Sequence, residues 1–168
     1  MKNKCILLTV IVVIFFLIFI AFTGRSKVNN NNVESNKDNS FTLSSLSNYD
    51  IVELETSTGK ILELEVVNTP GKRAYGLMFR EEMEPDHGML FVFDDEDYRT
   101  FHMANTFLSL DMIFLDKDFN IVTIHENTKT NQIEEKYPST EPVMYVIEMN
   151  SGWVENNSIS VGDKLNLL

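Results

Sequence analysis

Two arginines and one polar segment are the residues of this sequence whose types and spacing could carry chemistry. Arg73 and Arg80 flank a predicted short helix, and the segment 101–112 reads FHMANTFLSLDM. This segment sets polar side chains between apolar anchors, namely His102, Asn105, Thr106 and Asp111. Polar groups where a strand meets a loop either bind a ligand or satisfy the backbone of the turn. The six residues are our candidate ligand-binding cluster.

The same residues permit two other interpretations. If Asp111 orients His102 as a general base, the protein is an enzyme of the hydrolase or lyase type. If Arg73 or Arg80 pairs with Asp111, the cluster is an internal clamp that stabilises a loop. No residue is assigned a catalytic role on this evidence. Glu148, which lies in an otherwise apolar strand, also needs a partner.

No metal or cofactor is predicted. The three histidines lack the close spacing of a zinc helix, and the single cysteine precedes the folded part. Residues 116–120 (DKDFN) begin like a calcium loop, but Ile121 and Asn127 stand where glycine and glutamate are required, which favours a hairpin turn. Asp94–Asp97 are predicted to form a solvated acidic loop. Glycine-rich phosphate loops and the Gly-x-Ser-x-Gly pattern are absent.

The elements that must position these side chains are mostly short strands. Ile51–Thr56 and Ile61–Val67 alternate apolar and acidic residues, which predicts a hairpin that turns at 58–60. Thr69 and Pro70 predict the start of a short helix carrying residues 72–78. Further strands are predicted at 88–93, 98–103, 110–115, 121–125, 143–149 and 161–167, with a polar loop at 129–140 and a turn or short helix at 152–157.

This pattern predicts a mainly β fold: a compact antiparallel β-sandwich or barrel-like domain with one or two short helices, preceded by an N-terminal hydrophobic helix. We divide the chain into a signal anchor or signal peptide (1–27), a flexible Asn-rich tether (28–40) and a single β-rich domain (41–168). The domain is large enough to bury one core without disulfides.

The N-terminal segment predicts export. An apolar run of 17 residues, Ile6 to Phe22, follows Lys2 and Lys4 and is interrupted only by Thr9. This length is at the lower edge of a membrane span and exceeds the apolar core of a cleaved signal. We expect a single N-terminal span in the cytoplasmic membrane, with the domain on the extracytoplasmic side. The alternative is a secreted or periplasmic protein released by cleavage.

The charge of the domain narrows the class of partner. The whole chain carries a formal charge of −11. From Phe41 onward, 9 Lys and Arg against 23 Asp and Glu give −14. Such a domain repels phosphate backbones, so nucleic acid is not an expected partner. The expected partners are the membrane, through Ile6 to Phe22, and a small polar ligand or a protein of the cell envelope.

Five motifs in order resemble the family called domain of unknown function 192. They are RAYGLMFR (73–80), GMLFVF (88–93), FHMANT (101–106), LDMIFLD (110–116) and GD (162–163). The resemblance covers residues 51–168, and it implies a compact β-sandwich, often behind a signal peptide or anchor. It also implies a shared polar cluster, carried here by Arg73, Arg80, Asn105, Thr106 and Asp111.

The sequence departs from the family pattern at three positions. His102 stands where the family usually has tryptophan, Ala104 where it has lysine, and Ser109 where it has proline. The loss of the lysine removes a charge from the most distinctive motif. The function expected is therefore a membrane-tethered extracytoplasmic binding or accessory module for a small polar or anionic ligand. The enzyme using His102 and Asp111, and a structural or protein-interaction domain of the envelope, remain the alternatives.

Overall fold

The computed structural model describes residues 42–168, so the apolar run 6–22 and the tether 28–40 lie outside the described residues. None of the helices in the described part has the length and apolar character that a membrane crossing needs. The elements in chain order are a 3₁₀ turn (Leu43–Ser45), β1 (Ile51–Glu55), β2 (Ile61–Val67), α1 (Pro70–Tyr75), β3 (His87–Asp97), β4 (Thr100–Met103), β5 (Leu110–Leu115), β6 (Ile121–His125), β7 (Gln132–Pro138), β8 (Val143–Asn150), α2 (Trp153–Asn156) and β9 (Asn166–Leu167).

Seven of the strands form one sheet in the order β6-β5-β8-β3-β2-β1-β9, and β4 pairs with β7 in a second, small sheet. The large sheet curls into a half-barrel. Residues 162–165, which lead into β9, exchange backbone hydrogen bonds with residues 119–121 at the start of β6. The two ends of the strand order therefore approach each other on one side of the curl.

The mainly β prediction is confirmed, but the antiparallel sandwich is corrected in one respect. β2 and β3 pair in parallel, while the other strand pairs of the large sheet are antiparallel. A parallel pair needs a connection that returns along the length of the sheet. Residues 68–86, which contain α1, make this connection and bring the helix against one face of the sheet.

The sheet buries apolar side chains on both of its faces. Along β3, β5 and β8, alternate residues enter two separate core clusters. Leu90, Ile113 and Ile147 belong to the first cluster, and Met89 and Phe91 belong to the second. All six residues of β5 are buried, as expected for a central strand covered on both faces. The face that carries the second cluster is the one that forms the candidate site.

The predicted hairpins are confirmed. β1 pairs with β2 in register, with Gly59 at a positive φ of 82° in the turn. β5 and β6 have the predicted bounds, and the DKDFN segment is the turn between them. In that turn the Asp116 carboxylate accepts hydrogen bonds from the backbone of Asp118 and Asn120, which holds it as a tight loop.

Two loop predictions were wrong. Asp94–Asp97 lie at the end of β3. The register with β8 shifts between Val92 and Asp97, and Asp97 then pairs with Val143. Residues 129–140 contain β7, which pairs with β4. Most β7 side chains face solvent, so the strand lacks the apolar alternation by which a half-buried strand is identified.

Two predicted elements also extended too far along the chain. The predicted strand at 161–167 is reduced to Asn166–Leu167. The predicted helix stops at Tyr75 because Gly76 adopts a φ of 49°, outside the helical region.

Candidate functional site

A cleft of about 230 Å³ opens on the second core face, between α1, the turn that follows it, and strands β3, β4 and β8. We call it the Glu148 cleft. Its lining is mostly apolar and aromatic with a few polar side chains: Arg73, Ala74, Tyr75, Gly76, Leu77, Met78, Phe91, Phe93, Thr100, Phe101, His102, Thr106 and Glu148. Concave apolar surfaces with a few convergent polar groups are typical of small-ligand sites.

Glu148 is the buried acidic residue of the cleft. It lies in the middle of β8, opposite Met89 of β3 and Met112 of β5, and only 5% of its surface is exposed. Burial raises the pKa of its carboxyl group to about 8, with no contribution from a hydrogen bond or a neighbouring charge. At neutral pH the group is therefore mainly a neutral carboxylic acid, which can donate one hydrogen bond and accept others.

The contrast with Glu65 shows how unusual this carboxyl group is. Glu65 lies opposite Met89 on the other side of β3, in the same row across the sheet as Glu148. The Arg80 guanidinium donates two hydrogen bonds to it, at 2.7 and 2.5 Å. These bonds raise the pKa of Arg80. One glutamate of the row thus has a bidentate partner, and the other faces the cleft without one.

Aromatic rings form much of the cleft wall. The Phe101 ring packs edge-on against Phe91, at 5.0 Å between centroids, and against Phe114, at 5.6 Å. Gly76 allows the turn to approach this wall, because a Cβ there would lie 3.2 Å from Cζ of Phe91. Phe93 is covered by the guanidinium of Arg73 at 4.9 Å. The wall is a set of packed rings held in place by neighbours, which suits a preformed site.

Three of the six predicted cluster residues line the cleft: Arg73, His102 and Thr106. Nη1 of Arg73 donates to the carbonyl oxygens of Asn68 and Val92, which fixes the guanidinium on the wall. Nδ1 of His102 accepts a hydrogen bond from the backbone N–H of Ala104 at 3.3 Å. In the neutral imidazole the proton is then on Nε2.

The remaining cluster residues serve other parts of the fold. Arg80 pairs with Glu65, as described above. Asn105 adopts a φ of 53°, and its carbonyl oxygen accepts a hydrogen bond from the backbone N–H of Phe79. Asparagine tolerates this left-handed conformation better than most residues. Asn105 therefore holds the β4–β5 turn against the turn that follows α1.

Asp111 is fully buried in β5, and both of its carboxylate oxygens bind backbone amides. One oxygen accepts from the N–H of Asn127 and the other from the N–H of Val154, each at 2.9 Å. Val154 lies in the first turn of α2, so the carboxylate supplies an acceptor that the helix start lacks. Its described hydrogen bonds involve neither His102 nor an arginine, so the His102–Asp111 pair and the Arg–Asp clamp do not form.

The sequence carried only a weak signal for Glu148. An acidic residue in an apolar strand predicted a need for a partner, but it did not show that the partner was missing. Within residues 42–168 there is no group of three His, Cys, Asp or Glu side chains placed to hold a metal ion. The chemistry of the cleft is therefore that of one carboxyl group beside His102, Thr100 and Thr106.

Comparisons with known proteins place the chain among uncharacterised relatives. Residues 52–167 match the family model of domain of unknown function 192, described as uncharacterized ACR. A Sinorhizobium meliloti crystal structure, described provisionally as a transcription regulator, is 41% identical at a TM-score of 0.66, covering 73% of this chain and 97% of its own. A crystal structure of a Novosphingobium aromaticivorans protein of unknown function is 32% identical at a TM-score of 0.64. The match covers 69% of this chain and 83% of that one. No curated protein matches.

The buried carboxyl group makes stability depend on pH. Its pKa is 4.5 in the unfolded chain and about 8 in the folded one, so between these values the folded protein holds the extra proton. The contribution of Glu148 to the free energy of unfolding is then highest below pH 4.5 and falls as pH rises to about 8, by on the order of 1 kcal/mol per pH unit. Glu148→Gln removes this dependence, as measured by urea denaturation across the range.

The control for that measurement is Glu53→Gln, at an exposed glutamate of β1. It should leave the pH dependence of the wild type in place. A pH dependence that survives Glu148→Gln unchanged would contradict the assignment.

Asp111→Ala is expected to lower the free energy of unfolding by about 3 kcal/mol, because two buried amides lose their acceptor. Asp111→Asn retains one carbonyl oxygen and should lose roughly half as much. Denaturation midpoints measure both changes. Asp94→Ala, at an exposed position, is the control and should change stability by no more than about 0.5 kcal/mol. Equal stability of Asp111→Ala and wild type would rule out the capping role.

Proposed function

The chain belongs to the domain of unknown function 192 family, and we propose that it is a membrane-tethered extracytoplasmic module that binds a small ligand in the Glu148 cleft. The observation that carries the proposal is a carboxyl group, 5% exposed and without a hydrogen-bond partner in the described chain, at a cleft of about 230 Å³. Its oxygens open into the cleft, because within residues 42–168 the buried side-chain atom without a hydrogen-bond partner is Nε of Arg99. Keeping a carboxyl group in this mostly apolar setting still costs free energy of folding. A ligand that pairs with it recovers part of that cost on binding.

The size and shape of the cleft limit the ligand. Small-molecule sites usually enclose about 300–1,000 Å³. At about 230 Å³ the cleft suits a compact ligand with one polar group, rather than a nucleotide or an oligosaccharide. The polar group would reach Glu148, and an apolar part would lie against Phe91 and Phe101.

Binding is favoured over catalysis because the predicted acid–base pair of His102 and Asp111 does not form. The enzyme alternative needed Asp111 to orient His102, and Asp111 instead holds the amides of Asn127 and Val154. A contact with nucleic acid, which the provisional name of the S. meliloti structure suggests, is disfavoured by the charge of −14 on residues 41–168.

The cleft is tested by narrowing its mouth. Ala74, an exposed residue of α1, lines the cleft, whereas Gly71 of the same helix does not and has open space around it. A fragment set of amines, alcohols, carboxylates and amides is screened by ligand-observed NMR on the full chain in neutral detergent. Fragments bound by the wild type should bind at least tenfold more weakly to Ala74→Trp and equally well to Gly71→Trp.

If no fragment of any class binds the wild type, or if the bound fragments are indifferent to Ala74→Trp, the binding module is refuted. Melting temperatures of both tryptophan variants show whether each is folded under the conditions of the screen.

The tether is tested by fractionation of bacterial cells that express the chain. We expect the protein in the membrane fraction at its full mass of 19.3 kDa, because the apolar run is long enough to span. Protease added to spheroplasts should digest the domain. A variant without residues 6–22 should be found in the soluble fraction. A shortened mature protein would favour the cleaved alternative, and a protease-resistant domain would contradict the extracytoplasmic orientation.

A further inference from the structure

We infer that the ligand of the Glu148 cleft is a small organic cation, a primary amine or alkylammonium group attached to a compact apolar body. This inference rests on the proposed function, and it replaces the polar or anionic ligand that the arginines of the sequence suggested. Three observations carry it: the unpartnered carboxyl group, the aromatic wall and the charge of the domain.

The unpartnered carboxyl group is the first observation. Arg73 is the arginine that lines the cleft. Its Nη1 donates to two backbone carbonyl oxygens, and its Cζ lies 4.9 Å from the centroid of the Phe93 ring. Arg80, the other arginine that flanks α1, is committed to Glu65. Neither arginine donates a hydrogen bond to Glu148, so its carboxyl group has no bonded counter-ion in the described chain. A ligand ammonium group can supply the missing charge and donate up to three hydrogen bonds.

The aromatic wall is the second observation. Phe101 lines the cleft beside the buried Phe91, and Tyr75, half exposed, lines it as well. The Phe93 ring is already covered by the guanidinium groups of Arg73 and Arg99. Aromatic faces attract cations through the ring quadrupole, and cages of such rings recognise alkylated ammonium groups. The ring series continues outside the cleft, since Tyr75 lies 6.0 Å from Phe79 between centroids. Tyr75 and Phe79, each about half exposed, therefore present aromatic surface next to the cleft.

The charge of the domain is the third observation. Residues 41–168 carry a formal charge of −14, so the surface field raises the local concentration of cations and lowers that of anions. An anionic ligand would approach against this field and would also require Glu148 to stay protonated beside it. The surface field and the buried carboxyl group thus both favour a positively charged ligand.

Binding of the cation requires the carboxylate form of Glu148. The ammonium group and the carboxylate then form a buried ion pair, and the carboxyl proton leaves to the buffer. Because the free protein holds that proton up to a pH of about 8, binding below this pH releases close to one proton. The other titratable groups that line the cleft are Arg73, Tyr75 and His102, while β3 and β5 set Met89 and Met112 beside Glu148.

The experiment compares three probes of one shape that differ in charge: benzylamine, benzyl alcohol and benzoate. Their affinities for the full chain in neutral detergent are measured by titration calorimetry near pH 8. We expect benzylamine to bind at least tenfold more tightly than either of the others. Its affinity should fall about tenfold for each pH unit below that, and calorimetry in buffers of different ionisation enthalpy should show proton release.

Glu148→Gln is the matched variant, since the amide has the shape of the carboxyl group and cannot ionise. It should lose the preference for benzylamine and retain weak binding of benzyl alcohol. If this variant does not fold, two other measurements test whether benzylamine binds the Glu148 carboxylate in the cleft. They are the proton release in the wild type and the loss of benzylamine binding in Ala74→Trp.

The outcomes separate this inference from the proposed function. Tighter binding of benzyl alcohol or benzoate would overturn the cationic ligand and leave the binding module standing. Benzylamine binding without proton release would also overturn it, because Glu148 would not be the partner. Failure of benzylamine to bind overturns the inference, and the fragment screen then decides whether the binding module falls with it.

Discussion

The position of β8 between β3 and β5 is the constraint on which the site depends. Both ladders fix the register of β8, so its side chains must alternate between the two faces of the sheet. Ile147 and Met149 enter the first core cluster, and Glu148 must therefore point to the second face. Moving the carboxyl group to the other face would require β8 to slip by one residue, which would also move Ile147 and Met149 out of the first core cluster. The pairing of apolar residues thus holds an unpartnered acid inside the protein.

The connection between β2 and β3 explains why that acid is accessible to a ligand. Because these strands are parallel, the chain must return over the sheet, and it does so through α1 on the second face. The small β4–β7 sheet covers the same face from the other side, where Met103 and Tyr137 join the second core cluster. The space between these two covers is the cleft. Gly76 narrows it by letting the backbone approach Phe91.

The polar residues that the sequence singled out differ in whether they have a partner in the described chain. Arg73, Arg80 and Asp111 satisfy carbonyl oxygens, a carboxylate and amide groups of the fold itself. These contacts explain why a motif rich in polar residues serves mainly structure. Arg73 fixes part of the cleft wall, Arg80 pairs with β2, and Asp111 holds the start of α2 on the opposite face of the sheet. Glu148, by contrast, adds nothing to these networks. A buried group that contributes no structural bond is a natural candidate for contact with another molecule.

The sequence alone determined the mainly β class, the β1–β2 and β5–β6 hairpins and the family, because periodic alternation, turn residues and ordered motifs are local properties. Of the six residues that it grouped as a ligand-binding cluster, Arg73, His102 and Thr106 line the cleft, and their binding of a ligand stays a prediction. It did not reveal β7, whose exposed side chains lack periodicity, or the parallel β2–β3 pair, which depends on contacts distant in the chain. Only the tertiary structure decided that Asp111 binds backbone and that Glu148 has no described partner, since a side chain's partners depend on which strands become neighbours.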